Sequence, residues 1–274
     1  MPELPEVETV VRSIRPALVG RRVTAMWYDW PPTIHQPSPQ SFAARLQGQG
    51  FRAVRRRAKY IVCELDHDLL VIHLKMTGRL YVVNADSIES ADKWVHFRVD
   101  LDNGQQLRFS DSRKFGRVYL VADFAEINDN IGPEPLEDDF TLDVFQERLK
   151  GRQKNIKALL LDQSFIAGVG NIYADEALFR ARIHPLRGAN TLYLPEVAAL
   201  HEAIRAALDA GIQHEGASIS WYRKPDGTKG SSQDHFYVYG RTAQPCTACG
   251  TFIHKIRVAQ RGTHFCPQCQ RLTD

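Results

Sequence analysis

The chain closes on four cysteines in two pairs, Cys246-x-x-Cys249 and Cys266-x-x-Cys269, with sixteen residues between the inner members. Each C-x-x-C turn presents two thiolates to one ion, and two such turns joined by a hairpin complete a tetrahedral zinc site. The intervening TFIHKIRVAQRGTHF supplies β-prone residues and a turn, so the spacing predicts a structural zinc ribbon holding one Zn2+. Two disulfides or a redox C-x-x-C are the alternatives. A reducing cytosol weighs against the first, and the lack of a surrounding βαβ unit against the second. Four thiolates leave no open position on the metal, so such a site stabilises its module without doing chemistry. The remaining cysteine, Cys63 in IVCEL, reads as a small buried strand residue.

The rest of the 274-residue chain changes texture once. Residues 5–18 read as a helix, with Val7, Val10, Val11, Ile14 and Leu18 at helical spacing, Pro5 in the first turn, and Glu6 and Glu8 at the positive end of the dipole. From about 22 to 122 short β-branched and aromatic runs alternate with turn residues, including the hairpin signal DNG at 102–104, which predicts two packed sheets. The proline-bearing, acidic IGPEPLEDDF (131–140) reads as a link between halves. Amphipathic helices follow, the last with a stripe of Val197, Leu200, Ile204, Leu208 and Ile212. Residues 214–235 are polar and aperiodic; a loop that long is either functional or mobile. AGVGN (167–171) joins two helical patterns by a tight turn. Its free N–H groups suit an anion, though a plain structural turn fits as well.

Composition sets the class: 43% hydrophobic and 24% charged residues belong to a soluble globular protein. No run approaches a membrane span and no basic-then-apolar leader opens the chain, so a cytoplasmic location without a membrane partner is expected. The net charge of +3 does not by itself predict a nucleic-acid partner. The basic residues, however, gather at 52–60, 112–117, 148–157 and 254–261. Such clusters either converge on a polyanion or remain unrelated solvated surfaces.

Several motifs then coincide: PELPEVET (2–9), RRAKY (56–60), HLKMTGRL (73–80), DSRKFGR (111–117), IGPEPL (131–136), GVGNIYADE (168–176), VYGR (238–241) and the four-cysteine finger with AQR (259–261). No one of them has to predict the others. Together they resemble the formamidopyrimidine-DNA glycosylases, bacterial base-excision enzymes for oxidised purines, from residue 2 to the last cysteine. The resemblance implies a multidomain α+β fold. Residues 1–132 would form an N-terminal β-sandwich catalytic domain headed by a helix, and 133–150 a linker and the start of the helical domain. A helix–two-turns–helix domain with the lesion-covering loop would take 151–237, and a zinc-finger β-hairpin 238–274. It also implies a monomer acting on double-stranded DNA with oxidised bases or abasic sites, bound between the halves with the damaged nucleotide flipped out.

Site residues follow from the same resemblance. Pro2, freed of Met1, is the expected nucleophile: a secondary α-amine with a pKa near 8 attacks C1′ and gives an iminium directly. Glu3 is the expected general acid/base, and Glu6 is expected to help fix the site; favourable charge at a helix N-terminus is the plainer reading of both. Lys59 is expected to contact phosphate and assist catalysis. Arg261 is expected to grip the phosphates flanking the lesion, a role that suits a guanidinium better than proton donation. Arg152, Asn171 and Lys157 are placed at phosphates. Met76, Arg113 and Phe115 match the trio that fills the hole left by the flipped base. Cys246, Cys249, Cys266 and Cys269 hold the zinc.

Two places depart from the family pattern. Trp94 stands where a DNA-contacting histidine is common, and it can stack or pack but not pair ionically with phosphate. The loop SISWYRKPDGTKG (218–230) differs from the usual version, which bears on the lesions accepted. The nearest rival is the related endonuclease VIII branch for oxidised pyrimidines. PELPE and the Met76/Arg113/Phe115 set favour the purine enzyme. A non-catalytic zinc protein that senses damaged DNA would have no need of Pro2 and Glu3.

Overall fold

The computed structural model describes residues 1–272. The chain divides into two compact units: Met1–Asp129 with Glu215–Ser231, and Asn130–His214 with Ser232–Asp274.

The first unit begins with α1 (Leu4–Leu18), whose Val7, Val10, Val11, Ile14 and Leu18 are all buried. One sheet takes the order β1 (Val23–Tyr28), β7 (Val95–Leu101), β8 (Gln105–Asp111), β6 (Gly78–Asn84). The other runs β2 (Ile34–Gln36), β9 (Arg117–Val121), β5 (Leu69–His73), β4 (Tyr60–Glu64), β3 (Ala53–Arg57). Pairing is antiparallel except between β2 and β9. The period-two alternation of strands decides what faces what. Ile61, Cys63, Leu70 and Ile72 share one core with Leu80, Phe97, Val99, Phe109 and the α1 stripe, while Val62, Val71 and Tyr119 form a second cluster. Cys63 is buried in the strand, as its neighbours suggest. The short helix α2 (Pro39–Leu46) adds Phe42 and Leu46 to the shared core.

The second unit holds α3 (Leu142–Leu149), α4 (Ile156–Leu160), α5 (Asn171–Arg180) and α6 (Leu194–Gln213), then the hairpin β10 (His254–Val258) and β11 (Arg261–Phe265). Two expectations about boundaries change. The 131–140 segment is fastened to this unit: Gly132 N–H donates to Gln163 O at 2.9 Å, Ala167 N–H to Pro133 O at 3.0 Å, and Arg205 to Pro135 O at 2.9 Å. Residues 215–231, expected with the helices, belong to the first unit. The reason is local. Tyr222 is buried in the sandwich core, and Arg79 on β6 donates to Pro225 O at 2.9 Å.

Candidate functional site

The N-terminus is held by its own helix. Glu3 is the N-cap of α1, and Glu3 and Glu6 form a capping box in which the Glu6 carboxylate accepts the Glu3 N–H at 2.7 Å. Pro2, Glu3 and Glu6 are buried, whereas Met1 is 53% exposed. Glu6 also reaches the 215–231 segment, where its second carboxylate oxygen accepts the Ala217 N–H at 2.7 Å. A Cβ on Gly216, whose φ is +81°, would stand 2.9 Å from Glu6 Cγ, so this approach requires glycine twice over. Glu6 therefore ties the chain start to the polar loop, a link that its position in a helix first turn does not reveal.

Lys59 sits at the two-residue turn between β3 and β4 and is 6% exposed. Its charge is felt by the buried His73. Burial first, then Lys75 and Lys59, push the His73 imidazole down to about 3. His73 is therefore neutral, and its Nδ1 accepts the Lys75 N–H at 2.9 Å. Sequence reasoning missed this residue; the only signal was its place beside Lys75 in HLKM.

The structure brings Met76, Arg113 and Phe115 together. The Arg113 guanidinium lies 3.2 Å from Met76 Sδ and 4.6 Å from the Phe115 ring centre. Met76 and Phe115 are 43% and 46% exposed, so two large apolar side chains face solvent without a core to join. Asp111, at the end of β8 and buried, organises the loop behind them. It accepts the Arg113, Phe115 and Gly116 N–H groups at 3.2, 2.8 and 2.6 Å and the Thr77 hydroxyl, which joins the Met76 turn to the Phe115 turn. A Cβ on Gly116 would fall 2.3 Å from the Phe109 ring. Asp111 opens the DSRKFGR motif, where nothing in the sequence singles it out. Trp94 lies on a single 3-10 turn before β7, partly exposed, with Lys93 Nζ 4.1 Å from its ring centre.

In the second unit Arg152 is exposed between α3 and α4. Asn171 opens α5, and its amide donates to Gly262 O at 2.9 Å, beside Arg261. Arg261 is exposed at the start of β11. The preceding two-residue turn places Ala259 and Gln260 at φ +47° and +63°, and Gln260 accepts from Arg257 at 2.7 Å. Lys157 corrects the expectation of a phosphate contact. It is wholly buried, and its ammonium pairs with the equally buried Asp175 instead of facing solvent. The basic stretch 148–157 therefore divides between surface and interior, because Ile156–Leu160 is helical and faces Lys157 inward.

The four cysteine Sγ atoms lie within 4.8 Å of one another, with Cys249–Cys266 at 3.5 Å and Cys246–Cys269 at 3.9 Å. A tetrahedron with ~2.3 Å Zn–S bonds has edges of roughly 3.8 Å, so the cage fits one zinc ion. Backbone N–H groups of Ala248 and Cys269 point at Cys246 and Cys266 Sγ, both at 3.4 Å, and such donors favour thiolate. Hydrogen bonds from Thr251 lower the Cys249 thiol, whereas burial raises those of Cys266 and Cys269. Among the described residues no helix is long and apolar enough to cross a membrane.

Comparison with known proteins covers almost the whole chain. Residues 1–118 match the family model of the formamidopyrimidine-DNA glycosylase N-terminal domain, 131–223 that of its H2TH domain, and 243–272 a zinc finger found in FPG and IleRS. The chain is 53% identical to a formamidopyrimidine-DNA glycosylase of Herpetosiphon aurantiacus, over 98% of this chain and 100% of the relative. It is 49% identical to one of Chloroflexus aurantiacus, over 98% of each. Among solved structures, a mutant Lactococcus lactis FPG in complex with Fapy-dG containing DNA superposes with a TM-score of 0.91 at 36% identity, covering 99% of this chain and 100% of that one. The Lactococcus lactis Fpg with DNA containing an abasic site gives 0.90 at 36% identity, over 98% and 100%.

Proposed function

The chain belongs to the formamidopyrimidine-DNA glycosylase family, and from that footing we propose that it excises oxidised purines through a Schiff base on Pro2 and then cuts the strand by β,δ-elimination. After Met1 is removed, the Pro2 amine attacks C1′ and the damaged base leaves. The nitrogen lone pair then breaks the C1′–O4′ bond to give the iminium, with O4′ taking up a proton. Loss of the C2′ proton sends its electron pair into the iminium as an enamine. That pair returns to form the C2′–C3′ double bond and expel the C3′ phosphate with its C–O electrons, and the same relay from the C4′ proton expels the C5′ phosphate. Glu3, buried at the N-cap beside this amine, is the group that moves protons as the sugar ring opens. Lys59 and Arg261 hold phosphates, with Arg152 and Asn171 as further contacts.

The observation that carries this reading is the exposed Met76–Arg113–Phe115 cluster. A base extruded from a duplex leaves a gap and an orphaned partner. An apolar plug, an aromatic wedge and a guanidinium can fill it. The zinc, when bound, contributes no chemistry and keeps the hairpin folded. The solved complexes of relatives with Fapy-dG containing DNA and with abasic-site DNA support damaged DNA as the partner. The protein acts as a monomer in the cytoplasm.

The test is a lesion panel. Duplexes carrying 8-oxoguanine opposite cytosine should be cut faster than duplexes carrying thymine glycol opposite adenine. The reverse order would place the protein with the pyrimidine-directed branch.

A further inference from the structure

Two side chains one turn apart on α5, Asn171 and Asp175, bind the edge of β11. Asn171 Nδ2 donates to Gly262 O at 2.9 Å, and Asp175 Oδ2 accepts the His264 N–H at 2.9 Å. Residues i and i+4 share a helix face, and alternate residues of a strand turn their backbone groups to one edge. The helix thus plays the part of a missing neighbouring strand. Asp175 can do so as a carboxylate in the interior because Lys157, from α4, meets its other oxygen; all three of these side chains, with His264, are buried or half-buried. The His264 ring adds a contact to Asp175 Oδ2 at 3.3 Å. The strand edge so held begins with Arg261, one residue from Gly262.

We propose that Asp175, neutralised by Lys157, is a positioning residue that sets Arg261 for its phosphate contact by fixing the edge of β11. The inference rests on the reading of Arg261 as a phosphate clamp. It gives Lys157 a structural duty in place of a DNA contact. Cys266, one of the four cysteines that would hold zinc, lies just past the far end of β11, and β10 pairs along one edge of the strand as far as Arg261, so the contacts from α5 secure its other edge.

The inference separates the acceptor from the charge pair. K157M/D175N removes both charges but keeps an oxygen for the His264 N–H, whereas K157M/D175L removes the oxygen as well. Each holoprotein is checked for zinc content and titrated against a duplex with a central tetrahydrofuran abasic analogue. K157M/D175N should bind as tightly as the parent. K157M/D175L should bind about tenfold more weakly with its zinc retained, and R261A should absorb that loss, so that adding the pair to R261A weakens binding no further. If K157M/D175L does not fold with zinc, K157M/D175S, whose hydroxyl is too short to reach His264, takes its place with the same expectation. Parent-like binding by the variant lacking the oxygen would overturn the proposal. So would losses that multiply with R261A. Undiminished binding by R261A alone would instead remove the phosphate-clamp reading on which the proposal stands.

Discussion

Two regions carry candidate DNA-facing side chains on exposed loops, and they are held in opposite ways. The Met76/Phe115 loops stand on a β-sandwich core, and one buried carboxylate, Asp111, gathers three backbone N–H groups and a hydroxyl beneath them. The Arg261 hairpin has two strands of five residues each and, among the described residues, a small apolar cluster around Val238, Ile253 and Cys266. Two strands alone are marginal in water. That hairpin depends on a metal cage at one end and polar clamps from α5 along its edge. The difference shows how a large core lets a working loop be fixed by one side chain, whereas a small module needs an ion.

Metal removal should separate the two regions most sharply. Structural zinc sites carry about 10 kcal/mol or more of apparent binding free energy. A strong chelator should therefore unfold the 243–272 module and abolish duplex binding, while far-ultraviolet circular dichroism of the sandwich and its melting transition persist. Loss of both regions together would break the contrast.

Asp111→Ala is the matching change on the other side. It leaves the buried Gly116 N–H and the part-buried Arg113 and Phe115 N–H groups without their acceptor, which costs about 1–3 kcal/mol. Thermal melting should report that loss in the first unit, and cutting of an 8-oxoguanine duplex should fall while zinc content stays at one per chain.

Acid should weaken the first unit through His73. The folded pKa of His73, about 3, lies below its unfolded value near 6.5, so the unfolded chain binds the proton more readily. Stability is then fully present above about 6.5 and declines by about 1.4 kcal/mol per pH unit as pH falls toward 3. His73→Gln should lessen that slope in urea melts at pH 7, 6 and 5; an unchanged slope would rule out His73 as its source.

The smallest effect belongs to the hairpin turn. Ala259 holds φ +47°, where asparagine is better tolerated. Ala259→Asn should raise the melting temperature of the zinc-loaded protein by the equivalent of under ~1 kcal/mol, with no change in cutting.

Much of this was legible in the chain itself. The cysteine spacing sets the metal cage, the stripe from Val7 to Leu18 sets α1, and the period-two runs set the strands, because each depends on residues near in sequence. What was not legible depends on distant partners. Lys157 reads as one more cation in a basic stretch until Asp175, eighteen residues on, is placed against it. The loop after α6 reads as an appendage of the helices until Tyr222 enters the sandwich core and Glu6 receives the Ala217 N–H. His73 carries no pattern that separates a buried neutral ring from a surface one.

Reductive trapping tests the central chemistry most directly. The protein lacking Met1 is incubated with an 8-oxoguanine duplex and sodium borohydride, and the adduct is mapped by mass spectrometry. The expected result is a covalent protein–DNA species joined at Pro2, strongly diminished with Pro2→Gly, whose primary amine is a poorer substitute, and absent from protein that retains Met1. No adduct with the parent protein, or an undiminished one with Pro2→Gly, would contradict the Schiff-base mechanism.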